Sequence, residues 1–267
     1  MFIKTKGLIT REVRFKDTDK ILTVITADRG VMTVKARNVL RIKSQLSAGC
    51  QLLAFTDFTL FENRGMLTVN AAEPIELFMG LRNDACRLAL ASYLADLSEK
   101  IAESDAGTAE LMRLALNCLY ALSERGSDME LVRAAFEMRA AALAGYEPQL
   151  DVCGCCGEIP EDPYLSPADG TVYCKACLPP DGDGMRPIPC PARILPLLRF
   201  FLTAPLNRLI PTVNDETLIR DAVYVTERYL LAQLDNDSKA LRYYKSLCLF
   251  SYKRTTPPAD APDKQGN

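Results

Sequence analysis

The chain has 267 residues, 48% apolar and 25% charged, which is the composition of an ordinary globular protein large enough for two domains and a small module. It shows no apolar run near the roughly eighteen residues of a membrane span and no signal-peptide core, so its ten cysteines point to reduced thiols and a metal in a cytoplasm rather than to a disulfide framework. It contains no histidine, which removes the commonest acid-base residue, and its net charge of −2 hides an asymmetry: residues 1–48 carry eleven Lys/Arg against four Asp/Glu, and residues 77–150 carry seven against eleven. Separate basic regions on a near-neutral protein imply a polyanion met by particular surfaces.

Residues 5–76 read as β structure. Residues 8–13 form a strand candidate, Asp17-Thr18-Asp19 is a turn, and residues 21–26 are a second strand rich in β-branched side chains. The turn Asp28-Arg29-Gly30 joins this strand to residues 31–36 as a hairpin. Residues 50–56 and 58–61 supply a further strand region, and Asn63-Arg64-Gly65 turns into a strand over 66–71. About five short strands with no long helix between them fit a small closed barrel such as an OB-fold, although an SH3-like barrel reads the same way. After the third strand, Lys35, Arg37, Arg41 and Lys43 place four cations in nine residues with no acid. On a barrel, such a loop can meet nucleic-acid phosphates with little sequence preference. A solvated basic loop is the other reading of the same charges.

From Pro74 the periodicity is helical. Residues 77–103 and 108–125 show apolar residues at intervals of three and four, the first containing Leu88, Ala91, Leu94, Ala95 and Ile101 and the second Leu111, Leu114, Leu119 and Leu122. A third helix is expected from about Asp128 to Leu143, ended by Gly145 with Pro148 beyond. Helix resumes over 196–202, 215–234 and 238–252. The last of these carries Lys239, Arg242 and Lys245, with Lys253 and Arg254 just beyond it, and Tyr243, Tyr244, Phe250 and Tyr252 are interleaved. Those aromatics either stack bases or pack with Leu241, Leu247 and Leu249 in a core. The segment 253–267, with three prolines, is expected to be a disordered tail.

Between the third helix and Pro191 lies the strongest motif. Cys153 and Cys156 are followed, after seventeen residues, by Cys174 and Cys177. Two such pairs are knuckles for one zinc ion held by four thiolates. With no histidine in the chain, any zinc here is bound by sulfur alone. Free thiols or a disulfide pair are the bland reading. Cys155 falls between the ligands of the first knuckle and reads as a bystander. Pro160, Pro163 and Pro167 stiffen the insert, and Asp169-Gly170 turns into a short strand that leads to Cys174. Four thiolates close the coordination shell, so the site reads as structural rather than catalytic.

No phosphate-binding glycine motif and no catalytic constellation is present. A zinc-containing factor of transcription or translation would combine the same parts, and a metal-dependent nuclease is a third class that the closed thiolate shell disfavours. Specific residues add a resemblance. Gly7-Leu8-Ile9, residues 19–26, Gly30 and the loop 36–44 lie in the N-terminal part. Phe136-Glu137-Met138-Arg139, Leu143, Gly145-Tyr146, Pro148, Leu150 and the cysteine pairs lie in the centre, and Tyr244-Lys245-Ser246-Leu247 lies near the end. In these the chain resembles the RecO family of bacterial DNA repair and recombination mediator proteins. It departs from the family at Asn38 and Asp169, where glycine is usual, but Asn and Asp tolerate left-handed backbone.

The reading is therefore an α+β multidomain protein. An OB-fold barrel occupies 1–76, a helical domain 77–150 and 190–252, and an inserted four-cysteine zinc module 151–189. The resemblance implies a non-enzymatic protein of the bacterial cytoplasm and nucleoid. It implies binding to single- and double-stranded DNA, annealing of complementary strands, and work with RecR to load RecA. The acidic tail of the single-strand DNA-binding protein is expected on the helical domain. By the same resemblance Arg37, Arg41 and Lys43, with Lys35 a weaker candidate, contact DNA, and Arg139 serves the partner tail or forms a surface ion pair. Relatives without the cysteines imply that zinc supports the fold and not the activity.

Overall fold

A computed structural model describes residues 1–102, 108–178, 185–234 and 238–255, with 249–255 as backbone only. Strands β1 (Phe2–Phe15), β2 (Asp19–Thr26), β3 (Gly30–Ala36), β4 (Phe55–Asn63) and β5 (Met66–Glu76) close a barrel in the order β1-β2-β3-β5-β4. The barrel closes through two parallel pairings, Val34 with Leu67 and Lys35 with Thr68. This is the five-stranded barrel expected from the strand pattern, with OB-like order. Ile9, Leu22, Val24, Val34, Phe58 and Leu60 fill its interior. The neighbours Leu8 and Ile25 point the other way and are equally buried, because they join the core of the helical region. Two covered faces explain why β1 and β2 read as continuous apolar runs rather than as alternation.

One strand expectation needs correction. Residues 50–54 are turns, and β4 starts only at Phe55. Cys50, Leu53 and Ala54 are fully buried, and Leu53 adopts φ 66° where the chain enters β4. Its N–H donates to Ile9 O at 2.9 Å, beside the bulge in β1. Burial, not strand pairing, accounts for this apolar run.

The helices are α1 (Ala85–Ala102), α2 (Thr108–Ser123), α3 (Met129–Leu143), α4 (Leu195–Thr203), α5 (Glu216–Leu234) and α6 (Lys239–Thr255). The first begins later than its periodicity predicts. Asp84 Oδ1 accepts from the backbone of Cys86 at 2.7 Å and Arg87 at 3.1 Å, which caps α1 there and leaves a short 3-10 turn over Met79–Asn83. Asp128 caps α3 through Leu131 N at 2.8 Å. At the other end of α3, Gly145 takes φ 93° and Tyr146 N returns to Ala141 O at 2.9 Å, the left-handed stop its sequence predicts. Helix α6 continues through Thr255, and the rest of the expected tail lies outside the described residues.

The helices are cross-linked by a buried ionic network. Arg133 on α3 pairs with Glu130 at 2.6 Å and with Glu227 of α5 at 2.5 Å, and lies 3.5 Å from Glu137. Glu137 accepts from Tyr93 of α1 at 2.9 Å and from Thr226 of α5 at 2.8 Å. Tyr244 of α6 donates to Glu130 at 2.6 Å, and Lys245 bonds Glu227. Burial pushes the Glu137 carboxyl up to about 7 although Arg133 pulls the other way. Replacing Arg133 by Ala strands these carboxylates and should cost about 3–5 kcal/mol in denaturant unfolding. Because Glu137 binds its proton more tightly folded than unfolded, stability is lost as pH rises through its folded value. The variant's deficit should therefore be larger at pH 8 than at pH 5.

Cysteine-bearing residues follow α3. Strands β6 (Tyr164–Ser166), β7 (Thr171–Tyr173) and β8 (Ile188–Pro189) make a small sheet in the order β7-β6-β8. Its apolar residues Leu165, Val172 and Ile188 belong to the same buried cluster as Phe201 and Tyr229 of the helices. Gln233 of α5 donates to Pro167 O at 2.6 Å, and Tyr229 donates to Tyr146 O at 3.0 Å. A segment too short to form its own core borrows one.

Candidate nucleic-acid interface and metal centre

The ligand atoms of Cys153, Cys156, Cys174 and Cys177 all lie within 4.8 Å of one another. Two turns bring them together. Gly157 N bonds Cys153 O at 2.9 Å in the first knuckle, and Cys177 N bonds Cys174 O at 3.0 Å in the second. Tetrahedral sulfurs about 2.3 Å from a zinc ion stand roughly 3.8 Å apart, and Cys174 Sγ lies 3.9 Å from both Cys153 Sγ and Cys156 Sγ. Backbone N–H groups of Cys156 and Cys174 draw the Cys153 thiol down to about 6, whereas hydrogen bonding to Cys174 and Cys156 pushes the Cys177 thiol up. A dication supplies the charge that lets all four ionise together. The donor set and spacing therefore fit one tetrahedral metal ion. Cys155 is exposed and is not one of the four.

The basic loop leaves β3 at Ala36 and is clipped to the β1–β2 turn. Asp19 Oδ1 accepts from Asn38 N at 2.8 Å, Thr18 O accepts from Leu40 N at 3.0 Å, and Asn38 takes φ 55°, the left-handed backbone for which glycine is usual. The bond from Asn38, with help from Lys35, holds the Asp19 carboxyl below the ordinary carboxylate range. Val39 is buried in the barrel core, with Leu40 and Leu46 packed against it. The apolar residues thus anchor the loop while Arg37, Arg41 and Lys43 stand exposed, with no ion pair among the described residues. Lys35 is placed differently. Its ammonium is mostly covered, 3.1 Å from Asp19 Oδ2 and 4.6 Å from the Phe15 ring centroid.

Beside the loop, a trough of about 480 Å³ crosses the barrel face between Phe15 and Met66, with Ile21, Lys35 and Arg64 in its lining. This is the strand face and loop region where OB-folds take oligonucleotides. Arg64 and Gly65 form its rim with φ 51° and 75°, the two positive values of a tight hairpin turn.

Arg139 lies far from both features in sequence. Its guanidinium donates to Phe201 O at 2.7 Å and Ala204 O at 2.6 Å, closing the end of α4. It pairs with carbonyls and not, among the described residues, with a carboxylate. The same side chain lines a cleft of about 470 Å³ with Arg113, Glu110, Leu143 and Leu206. On α6, Tyr244 is core, whereas Tyr243 is exposed.

Comparison with known proteins decides the family. The family model described as "Recombination protein O N terminal" matches residues 1–78, and "Recombination protein O C terminal" matches residues 82–242. The chain belongs to the RecO family. The protein named DNA repair protein RecO from Acetivibrio thermocellus is 30% identical over 248 residues, 92% of this chain and 97% of its own length. Its namesake in Alkaliphilus metalliredigens is 33% identical over 178 residues, 66% of this chain and 72% of its own. A third, from Listeria monocytogenes serotype 4b, is 30% identical over 206 residues, covering 77% of this chain and 79% of its own length.

In RecO terms, the N-terminal match is the barrel and the C-terminal match includes the cysteine cluster. The family is one of DNA repair proteins. No helix among the described residues is long and apolar enough to cross a membrane. Sequence reasoning missed Phe15, Lys16, Arg64 and Met66. Their signals were a Phe-Lys pair at a strand end and an Arg-Gly turn, each too common to single out before the barrel brings them to one face.

Proposed function

We propose that this chain is a non-enzymatic recombination mediator of the bacterial cytoplasm and nucleoid. It binds single- and double-stranded DNA and anneals complementary strands. With RecR it helps load RecA onto DNA coated by the single-strand DNA-binding protein. The observation that carries this reading is the cationic loop, with Arg37, Arg41 and Lys43 exposed and their backbone anchored to the barrel by Asp19 and Val39. Two DNA strands repel through their phosphates, and a fixed cationic surface that holds both lowers that repulsion without reading bases. Zn²⁺ is the ion that sulfur-only tetrahedral donors favour, and here it holds the fold rather than substrate.

The test is an annealing assay with complementary strands precoated by the single-strand DNA-binding protein. Acceleration supports the mediator. Absence of effect favours a zinc-containing factor of transcription or translation, and fragmented strands indicate a nuclease.

The cleft lined by Arg113 and Arg139 suits the acidic tail of the single-strand DNA-binding protein, since it joins two cations, against the single acid Glu110, to apolar Leu143 and Leu206. Arg139 also braces α4, so Arg113 is the cleaner probe. Arg113→Glu should weaken binding of the tail peptide about tenfold or more, the loss of one charge-assisted hydrogen bond. Unchanged affinity by fluorescence anisotropy would move the tail to another surface.

A further inference from the structure

We infer that the trough between Phe15 and Met66 is a base-stacking subsite that selects single-stranded over duplex DNA. The inference rests on the DNA-binding reading above and adds to it a subsite that the cationic loop does not provide. A loop of exposed arginines meets phosphates, which single strands and duplexes share. Within a duplex each base is already stacked on both faces, whereas an unpaired base can turn a face to an aromatic ring.

The geometry is specific. Sheet order places β1 and β5 on either side of β2 and β3, so Phe15 and Met66 stand at opposite sides of the trough. Both are exposed apolar side chains, at 40% and 55%, in a largely apolar trough that also holds the cations Lys16, Lys35 and Arg64. The register sets Ile21 across from Lys35, and both line the trough between them. The volume of about 480 Å³ is that of a small-ligand cleft and not of a groove that holds a duplex.

Two ammonium groups lie against the Phe15 ring and are held unequally. Lys35, 4.6 Å from the centroid, is tied to Asp19 and fixes the ring. Lys16, 5.6 Å away, makes no ion pair among the described residues. A base arriving on the ring exchanges with the Lys16 ammonium, which is released toward the adjoining phosphate. Arg64, on the far rim, meets the next phosphate along. The occupant is therefore one nucleobase of a single strand, flanked by its own phosphates.

The chain contains no tryptophan, so Phe15→Trp creates a sole reporter at the subsite. The probes are oligo(dT), a blunt duplex and inorganic polyphosphate, each titrated into the full-length zinc-loaded protein. Oligo(dT) should quench the tryptophan, whereas duplex and polyphosphate should bind without quenching. Phe15→Ala should lose about tenfold in affinity for oligo(dT) and less than twofold for duplex. Phe15→Leu, which keeps apolar bulk without an aromatic face, should behave as Phe15→Ala does and guards against a folding defect.

Equal quenching by polyphosphate would overturn the inference, because charge alone would then move the reporter. So would unaltered oligo(dT) affinity in Phe15→Leu. If that were found while Arg37→Glu with Arg41→Glu still weakened binding about a hundredfold, the stacking subsite would fail and the phosphate surface would stand. Failure of the wild-type protein to bind any of the three probes would sink both.

Discussion

Replacing Arg37 and Arg41 together by Glu should weaken binding of both single- and double-stranded DNA on the order of a hundredfold at low salt. The figure follows from two charge-assisted hydrogen bonds worth roughly 1.5 kcal/mol each. The reversal should also flatten the salt dependence. Each phosphate contact contributes about 0.9 to the slope of log affinity against log salt for duplex DNA, so the slope should fall by about two. Neither arginine supports the fold: both are exposed, and the loop is held by Asn38, Val39 and Leu40. Zinc content and melting temperature should therefore stay at wild-type values. Affinity measured by anisotropy across a salt series decides the matter. An unchanged slope would mean that these side chains do not meet phosphates. Lys35→Ala should have a different signature, since this lysine pairs with Asp19 and rests on Phe15.

The contrast between Lys35 and Arg37 shows where sequence reasoning stops. All four cations of the loop look alike as charge on a line. The pleat of β3 decides that Lys35 lies across from Ile21 on the trough side, while the residues beyond Ala36 leave the sheet altogether. Local features were readable for physical reasons. β-Branched apolar runs between turn residues marked the strands, Asp128 and Gly145 marked the ends of α3, and matched Cys-x-x-Cys spacing marked the metal cluster. Features assembled across the chain were not. The trough draws on β1, β2, β3, β5 and the turn at Arg64, and nothing in one segment announces the others. The run 50–54 misled because apolar content does not distinguish a buried turn from a strand. The Arg133 network was half visible. Glu130 and Glu137 lie one turn away on the same helix, but Glu227 is 94 residues distant.

Removal of the metal should damage the helical region far more than the barrel. Structural zinc contributes on the order of 10 kcal/mol of binding free energy that is also folding free energy. In this chain that energy does not stay within a separate knuckle. Leu165, Val172 and Ile188 share one buried cluster with Phe201 and Tyr229, and Gln233 of α5 bonds the insert through Pro167. Once the thiolates lose their ion, crowded sulfurs about 3.9 Å apart repel or reprotonate, and the sheet that covers α5 loosens with them. Chelation, or Cys174→Ser, should then lower the melting temperature by at least about 10 °C, which needs only a few kcal/mol in a domain of this size. The barrel has its own core of Ile9, Leu22, Val34 and Phe58, and the cationic loop is anchored to that core through Val39. Below the new melting temperature, the metal-free protein should therefore bind DNA with nearly wild-type affinity. Parallel measurement of zinc content, helical circular dichroism and DNA affinity separates the outcomes. A Cys174→Ser protein that melts as the wild type does yet no longer binds DNA would place the metal centre in the interface itself.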